Sequence, residues 1–340
     1  MRFKATLAHE QLSLLHSLIS PISRLTVGGG ANAGGQSDSS LLRNGCMLYL
    51  DAENVRISLH GKGTSDCTGI ACFAELKSRG GIFMEHRIES VAQNNAILLE
   101  IDIVQLRMAL QSITQEKYQR KAHSRTKRKY DQDHSSNTLH DLTPSTTTII
   151  KLAKRNNTPC LCLIHGGTSG GYIEIQHAIP VRVAKASEMQ QYLPPELELP
   201  NVQLELDRIL PLRAILERLK GISSTLYVTG NPNGQLILST DGNGDSSGVG
   251  CSIRTVFDRL TPRMEACRPD ASGACTVKVD SKKLAMCLQW QQQTALVSTA
   301  SMCLVENESL VLHAMLNPPD VGFFTYYIPV HFLSDNPADG

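Results

Sequence analysis

The residues of this chain that could perform chemistry do not occur in any spacing that a reaction requires. The best candidate is the turn His165–Gly171, whose run of glycines could hold an anion or an oxyanion. No serine stands in a GxSxG context, and a plain strand-to-strand turn explains the same residues. Glycines 28–30 and 34–35 lack the spacing of a phosphate-binding loop and are not followed by GKS or GKT. We therefore expect a protein that is not an enzyme.

The cysteines and histidines do not indicate a metal site either. The chain has ten cysteines and eleven histidines, but no two cysteines have the CxxC spacing typical of structural zinc sites. Cys160 and Cys162 lie on a predicted strand and would point to opposite faces. Free thiols are typical of proteins of the cytosol or nucleus. We predict no metal and no cofactor.

Positive charge, in contrast, follows a pattern. Each predicted helix buries one apolar stripe, and the other positions carry arginine, lysine and glutamine. Nine residues make up these faces and none of them is acidic, although Glu10 and Glu217 lie nearby. Such a face could contact phosphate groups, and an ordinary solvated helix face is the alternative. The nine residues are Arg24, Arg107, Gln111, Arg213, Arg218, Lys220, Lys282, Lys283 and Gln289.

A second concentration of charge lies in the polar segment 115–147. The whole chain has 33 basic and 32 acidic residues, yet residues 117–130 contain seven cations and no acid. Such a run is typical of a nuclear localisation signal or of a second DNA contact, and a solvated charge run is the alternative. The seven cations are Lys117, Arg120, Lys121, Arg125, Lys127, Arg128 and Lys129.

The elements that must position these residues occur twice, 178 residues apart. Leu99–Asp102 alternates apolar and polar residues before an amphipathic helix, and Val277–Asp280 does the same. Upstream, Tyr49 and Tyr227 stand in matching strands at the same offset. Solenoid repeats are only tens of residues long, so this period favours two copies of one domain.

The 340 residues, 41% of them hydrophobic, are enough for two domains with separate cores. Helices are predicted over 8–25, 103–114, 208–221 and 281–292, and a weaker pattern indicates one over 80–90. Pro21 is expected to kink or end the first helix. The predicted organisation is an N-terminal domain over 1–183 with flexible insertions at 27–44 and 115–147, a linker over 184–201, a C-terminal domain over 202–333 and a tail over 334–340.

Four segments carry a resemblance to a known family. They are Met1–Ala5, Asn95–Ile101, Gln176–Val183 and Phe324–Val330. In order and spacing they resemble the Hus-one family of checkpoint proteins, over most of the chain outside 27–44 and 115–147. The basic segment is not part of the pattern of that family.

This resemblance implies an α+β fold of two tandem DNA-clamp domains similar to the PCNA sliding clamp, each with helices on one face of an antiparallel sheet. It implies that the chain is one of three subunits of the nine-one-one ring, with partners of the Rad-nine and Rad-one types. The helices would surround duplex DNA without reading its sequence. The resemblance further implies a nuclear, non-catalytic platform for DNA damage checkpoint and repair proteins, placed on DNA by a clamp loader, with no membrane association.

By the same resemblance, strands near Gly171–Ala178 and Val249–Phe257 would pair with neighbouring subunits, which would cover their exposed edges. The linker resembles the interdomain connecting loop of clamps, which borders a pocket for short peptides of client proteins. Tyr192, Leu193 and Leu197 could shape that pocket. A plain linker with incidental apolar residues is the alternative.

Two other functions remain open at this point. A replication clamp of the PCNA type would form a homotrimer, so the state of assembly distinguishes it from a checkpoint subunit. An interaction protein built on the same duplicated fold, but outside any ring, would have no clamp-like partner.

Overall fold

The computed structural model divides the chain into two compact units. The first comprises Met1–Ser23, Gly35–Arg56 and Leu76–Met189, and the second comprises Arg24–Gly34, Ile57–Glu75 and Gln190–Gly340. The residues that the structure describes are 1–27, 45–60, 69–78, 81–127, 147–166, 174–185, 187–188, 192–206, 211–240, 252–270, 273–293 and 295–332, with only the backbone described at Gln93 and over 116–127.

Strands dominate the described residues of both halves of the chain, and two α-helices lie among them in each half. The first half contains β1 (Arg2–Leu7), α1 (His9–Val27), β2 (Gly45–Leu50), β3 (Asn54–His60), β4 (Ala71–Lys77), β5 (Glu85–Glu89), β6 (Ile97–Asp102), α2 (Ile103–Lys127), β7 (Thr147–Arg155), β8 (Thr158–Gly166) and β9 (Ile175–Val183). The second half contains β10 (Val202–Leu206), α3 (Leu212–Leu219), β11 (Thr225–Asn231), β12 (Gln235–Ser239), β13 (Arg254–Phe257), β14 (Thr261–Pro262), β15 (Cys275–Asp280), α4 (Ser281–Cys287), β16 (Val297–Val305), β17 (Ser309–Leu316) and β18 (Gly322–His331).

The strand order demonstrates the duplication. In the first half the strands pair in the order β2–β6–β9–β8–β7–β1–β5, and every pair is antiparallel. In the second half the order is β11–β15–β18–β17–β16–β10–β14, again with every pair antiparallel. Each strand of the first series has its counterpart at the same place in the second. The repeat predicted from the sequence is therefore confirmed as a repeat of topology.

The same side-chain contacts recur at the 178-residue offset. The Oδ1 of Asp102 accepts hydrogen bonds from the first backbone amides of α2, those of Val104 and Gln105. The Oδ1 of Asp280 accepts one from the amide of Lys283 in α4. An aspartate at this position satisfies amides that have no partner within the helix. Each copy thus starts its second helix with the same N-cap.

The register of the matching strands differs by two residues between the copies. Tyr49 pairs with Leu98 in the first, whereas Tyr227 pairs with Lys278 in the second. Because side chains alternate with a period of two, a shift of two residues keeps every side chain on its original face. The repeat therefore preserves the buried face of the sheet although it does not preserve each pair.

The core of each unit lies between the sheet and the apolar stripes of the helices. In α1 the buried residues recur at helical spacing, and in α3 they are Leu212, Leu216 and Leu219. The corresponding positions that follow β6 and β15 are all buried. They are Leu106, Ala109 and Leu110 in the first copy and Leu284, Cys287 and Leu288 in the second.

Several predictions about local structure are wrong. Pro21 does not end α1, which continues to Val27, with apolar residues buried on both sides of the proline. The segment predicted as a helix over 80–90 contains strand β5, since pairing with β1 outweighs its weak helical pattern. The helix predicted over 281–292 ends at Cys287, and a short 3₁₀ turn follows at Gln289–Gln292.

The prediction of a flexible insertion over 115–147 is also partly wrong. Helix α2 continues to Lys127, well beyond its predicted end at residue 114. A polar composition excludes a buried core, but residues 115–127 contain no proline or glycine and are rich in good helix formers. The helix predicted over 208–221 is observed as Leu212–Leu219, with residues 207–210 outside the described part. The predicted insertion at 27–44, apart from Val27, and the tail lie outside the described residues.

Strands β9 and β13 each present an edge whose residues have no strand partner in the registers of the described ranges. Strand β13 pairs with β12. Strand β9 pairs with β8 over Ile175–Pro180, and it pairs with β6 only over Val181–Val183. These strands overlap the two segments predicted to meet neighbouring subunits, of which residues 171–173 and 249–251 are not described.

A buried carboxylate is neutralised where β9 meets β6. Arg182 donates from Nε to Oε2 of the buried Glu100 at 2.5 Å, and it donates through both terminal nitrogens to Glu188, at 2.7 and 3.2 Å. The hydrogen bonds from Arg182 hold the pKa of Glu188 at about 2, and the amide of Lys185 contributes to this shift. Arg182 therefore balances the charge of Glu100 inside the sheet, and through Glu188 it holds the segment that follows β9.

We expect Arg182→Met to destabilise the protein by about 2 kcal/mol, because it leaves Glu100 buried without a counter-charge. Chemical denaturation followed by circular dichroism measures this change. The contribution of Glu188 is present above its unfolded-state pKa near 4.5 and is lost as the pH falls towards 2. The matched control is Arg263→Met, which breaks the more exposed pair with Glu205 and should cost less than about 1 kcal/mol. Equal effects of the two variants would contradict the prediction.

Candidate nucleic-acid interface and peptide groove

Helix α3 separates its residues into an apolar and a charged side. Leu212, Leu216 and Leu219 are buried, whereas Arg218 is exposed and Lys220, the residue after the helix, is half-buried. The spacing of the leucines accounts for this division, since positions four and seven apart share one side of a helix. Of the three residues predicted on the charged side of α3, Arg218 is exposed, whereas Arg213 and Lys220 are half-buried.

Gln289 joins the helices of the second unit. Its Oε1 accepts a hydrogen bond of 2.7 Å from Arg24 at the end of α1, and its Nε2 donates one of 3.2 Å to Oε1 of Glu217 in α3. Arg24 also donates to Oε1 of Gln292 at 3.3 Å. The structure thus brings together two predicted residues, Arg24 and Gln289, with Glu217, which is not one of the nine.

Glu217 occupies the centre of this charged surface. Its carboxylate forms an ion pair with Lys220 and lies 4.0 Å from the guanidinium of Arg213. The hydrogen bond from Lys220 is the main cause of the lowered pKa of Glu217, and Arg213 and Gln289 lower it further. Two of the cations selected from the sequence therefore already share one anion. Their spacing of three and four residues from Glu217 was the signal that could have shown this.

The remaining predicted residues of the second unit differ in their surroundings. The backbone amide of Arg213 donates to Oε1 of Gln291 at 3.0 Å. The side chain of Lys282 is exposed at the start of α4. Lys283 is half-buried, and its amide binds the capping Asp280. Arg218 and Lys282 therefore project furthest into solvent.

In the first unit the structure places Arg107 and Gln111 together on α2. The Nη1 of Arg107 donates to Oε1 of Gln111 at 3.3 Å, a contact between residues one turn apart. Burial lowers the pKa of His16 on α1, and the charge of Arg107 adds to the effect. Helix α2 also contains five cations of the basic segment, for which only the backbone is described: Lys117, Arg120, Lys121, Arg125 and Lys127. The other two, Arg128 and Lys129, lie outside the described residues.

The second unit also contains a groove of about 430 Å³ beside the linker. Leu193 and Leu197 line it, and Ser309 contributes a buried hydroxyl that makes no hydrogen bond to any described residue. The pairing of β17 with β18 brings Ser309 opposite Pro329 and so builds one wall. The groove is lined by His60, Gly69, Ala71, Leu193, Pro195, Leu197, Glu308, Ser309, Tyr327, Ile328 and Pro329.

Tyr192 does not line the groove. It is buried, and its ring stacks on that of His60 with centroids 5.6 Å apart. Its carbonyl accepts a hydrogen bond of 2.7 Å from the hydroxyl of Ser58. Tyr192 thus supports His60, which does line the groove, and apolar character alone could not separate these two roles.

The histidine and the cysteines considered above for catalysis or metal binding lie within the fold. His165 is buried in β8, and its Nδ1 lies 2.8 Å from the hydroxyl of Thr148 in the paired strand. Residues 167–173 of its glycine-rich turn are not described. Eight cysteines are described as free thiols, and burial raises the pKa of Cys275 and Cys303 to about 12. The described residues contain no group of three or more side chains that could hold a metal ion. No helix in these ranges is both long enough and apolar enough to cross a membrane.

The duplicated arrangement of strands and helices is that of a sliding clamp. The structure is similar to that of PCNA from Thermococcus kodakaraensis, with a TM-score of 0.58 and 13% identity over 97% of this chain and all of that one. At this identity the likeness establishes the fold, which confirms the predicted α+β clamp architecture.

The sequence comparisons identify the family. The model of the family described as Hus1-like protein matches residues 37–331, and the chain belongs to this family. The checkpoint protein hus1 homolog of Dictyostelium discoideum is 28% identical over 291 residues, covering 84% of this chain and 90% of that protein. The checkpoint protein hus1 of Schizosaccharomyces pombe is 26% identical over 195 residues, covering 54% and 66% of the two chains. The resemblance inferred from the sequence is confirmed.

Proposed function

We propose that this chain is one subunit of a heterotrimeric checkpoint clamp, which encircles duplex DNA and presents DNA damage checkpoint and repair proteins to it without catalysing a reaction. The observation that carries the proposal is the duplicated clamp topology in a chain of the Hus1-like family. A clamp loader would place the closed ring on DNA.

The charges on the helices support a contact with DNA that does not read its sequence. Arginine and lysine attract phosphates, which are the same at every base pair, so the protein can change register freely. Glutamine residues such as Gln111 and Gln289 can add contacts through water. A ring that surrounds DNA is retained by its topology, so the individual contacts can be weak.

The unpaired edges of β9 and β13 support assembly with other clamp-like subunits. An open edge presents backbone donors and acceptors that need a partner. On β13 the exposed Val256 adds an apolar side chain to this edge. In the proposed ring these strands pair with subunits of the Rad-nine and Rad-one types.

Coexpression with these two subunit types should yield a complex with one copy of each chain, and Val256→Arg should strongly reduce its recovery. The reason is that a charge at the edge of β13 would be buried by the neighbouring subunit. Size-exclusion chromatography with light scattering measures the composition. Val91→Arg is the matched control, because Val91 is 97% exposed and lies outside both edges.

Two other outcomes would contradict the proposed heterotrimer. A chain that forms a homotrimer by itself, with three times its mass of 37.2 kDa, would indicate a replication clamp of the PCNA type. A chain that combines with neither partner would indicate an interaction protein outside any ring.

The groove beside the linker supports binding of client proteins through short extended peptides. Its walls are largely apolar, which suits a large apolar side chain of a peptide. The linker is held in place beside it, because Arg268 donates to the carbonyl of Leu199 at 3.0 Å and pairs with Glu198. The groove therefore has a fixed wall before any peptide binds.

Leu197→Glu should weaken binding of peptides with a large apolar anchor at least about tenfold, because it places a charge against the apolar side chain. Fluorescence anisotropy with a labelled panel of such peptides measures the affinity. Leu199→Glu is the control, since Leu199 lies in the same linker but is 57% exposed and does not line the groove. The proposal fails if both variants lose the same affinity or if the unaltered protein binds no peptide of the panel.

The proposed function requires entry into the nucleus, and the basic segment after residue 116 is suited to direct it. Replacing Lys127, Arg128 and Lys129 by alanine should abolish nuclear accumulation of the full chain fused to a protein too large to diffuse passively. Fluorescence microscopy provides the measurement. The control replaces Lys151, Lys154 and Arg155, which removes the same charge from β7. Unchanged nuclear accumulation of the first variant would show that this segment is not an import signal.

A further inference from the structure

Glu217 is the only acidic residue of α3 and α4, and the structure places it among their cations. Helix α3 covers Leu212–Leu219 and α4 covers Ser281–Cys287, so this statement concerns elements that are described throughout. The Glu217 side chain is 29% exposed, and it is therefore accessible from the solvent side of the helices.

Three groups from two parts of the chain converge on this carboxylate. Lys220 pairs with one oxygen, while the amide of Gln289 donates to the other at 3.2 Å. The guanidinium of Arg213 lies 4.0 Å away. In the same unit the exposed side chains of Arg218 and Lys282 have no ion pair with any described residue. The charged surface thus contains both neutralised and unneutralised cations.

Stability of the helix does not explain this arrangement. Partly exposed ion pairs three or four residues apart contribute little to folding. Their effect on an approaching polyanion is larger, because a cation that already has a carboxylate partner gains less from a phosphate and releases fewer counterions.

We propose that Glu217 balances the charge of this helix surface and thereby keeps its contact with DNA phosphates weak. This inference rests on the function proposed above. A clamp held by topology gains nothing from tight binding, since strong contacts to individual phosphates would slow its movement along the duplex. Glu217 is in this view a residue that sets the strength of DNA contact rather than one that binds DNA.

The test is Glu217→Gln in the full-length chain. Glutamine keeps the size of the side chain, and its amide oxygen can still accept the hydrogen bond from Gln289. Binding to a fluorescently labelled duplex should tighten on the order of fivefold at low salt, and the slope of log K against log salt should become more negative by about 1 to 2. Thermal melting should change by no more than about 2 °C, which shows that the fold is intact.

Glu205→Gln is the matched control. It removes the same charge and also frees an arginine, because Glu205 on β10 pairs with Arg263 at 2.8 Å. Glu205 alternates with the buried residues of β10 and lies on a strand instead of a helix. Its DNA affinity should stay within about twofold of the unaltered protein. A gain equal to that of Glu217→Gln would assign the effect to net charge and overturn the inference.

A double variant separates this inference from the function on which it rests. Arg218→Glu combined with Lys282→Glu should weaken DNA binding, because both cations are exposed. If it does so while Glu217→Gln leaves affinity and salt slope unchanged, the role of Glu217 is overturned and the proposed DNA contact stands. If the double variant binds DNA as well as the unaltered protein, the helix surface does not contact DNA and both proposals fall.

Discussion

Each helix of this protein has to bury one side against an antiparallel sheet, and only the other side remains for contact with anything else. The buried leucines of α3 and the capping aspartates Asp102 and Asp280 fix how the helices start and which side they present. In the second unit, polar residues of α3 and of the turn after α4 then lie close to one another. The hydrogen bonds of Gln289 with Arg24 and Glu217 depend on this constraint. They require the polar sides of α1 and α3 to lie next to the turn that follows α4.

The three candidate functional surfaces differ in the kind of group that remains without a partner after folding. The helix surface retains charges, the edge strands β9 and β13 retain backbone hydrogen-bonding groups, and the groove retains apolar area with the hydroxyl of Ser309. The proposed function assigns each of them a different partner: phosphates, a neighbouring strand and an extended peptide.

Much of the fold was predictable because it depends on short-range sequence patterns, and these patterns occur in both copies of the repeat. Alternation identified the strands β6 and β15, and helical spacing identified the stripes that are buried. The errors occurred where distant pairing or the absence of a helix breaker decided the outcome. Pairing with β1 makes 85–89 a strand, and a run of good helix formers extends α2 to Lys127 despite its polar composition. Of the three linker residues named as candidates for a peptide pocket, Leu193 and Leu197 line the groove, whereas Tyr192 is buried and stacks on His60.

The sequence alone determined the duplication, the apolar and charged sides of the helices, and the resemblance to one family, because each of these is carried by residue types at fixed spacing. Only the tertiary structure decided which charges meet. Lys220 and Arg213 share Glu217, while Arg218 stays exposed, and Ser309 reaches the groove through the pairing of two strands. Residues far apart in the chain are brought to within a few ångströms by strand pairing and helix packing, and a one-dimensional pattern does not contain those distances.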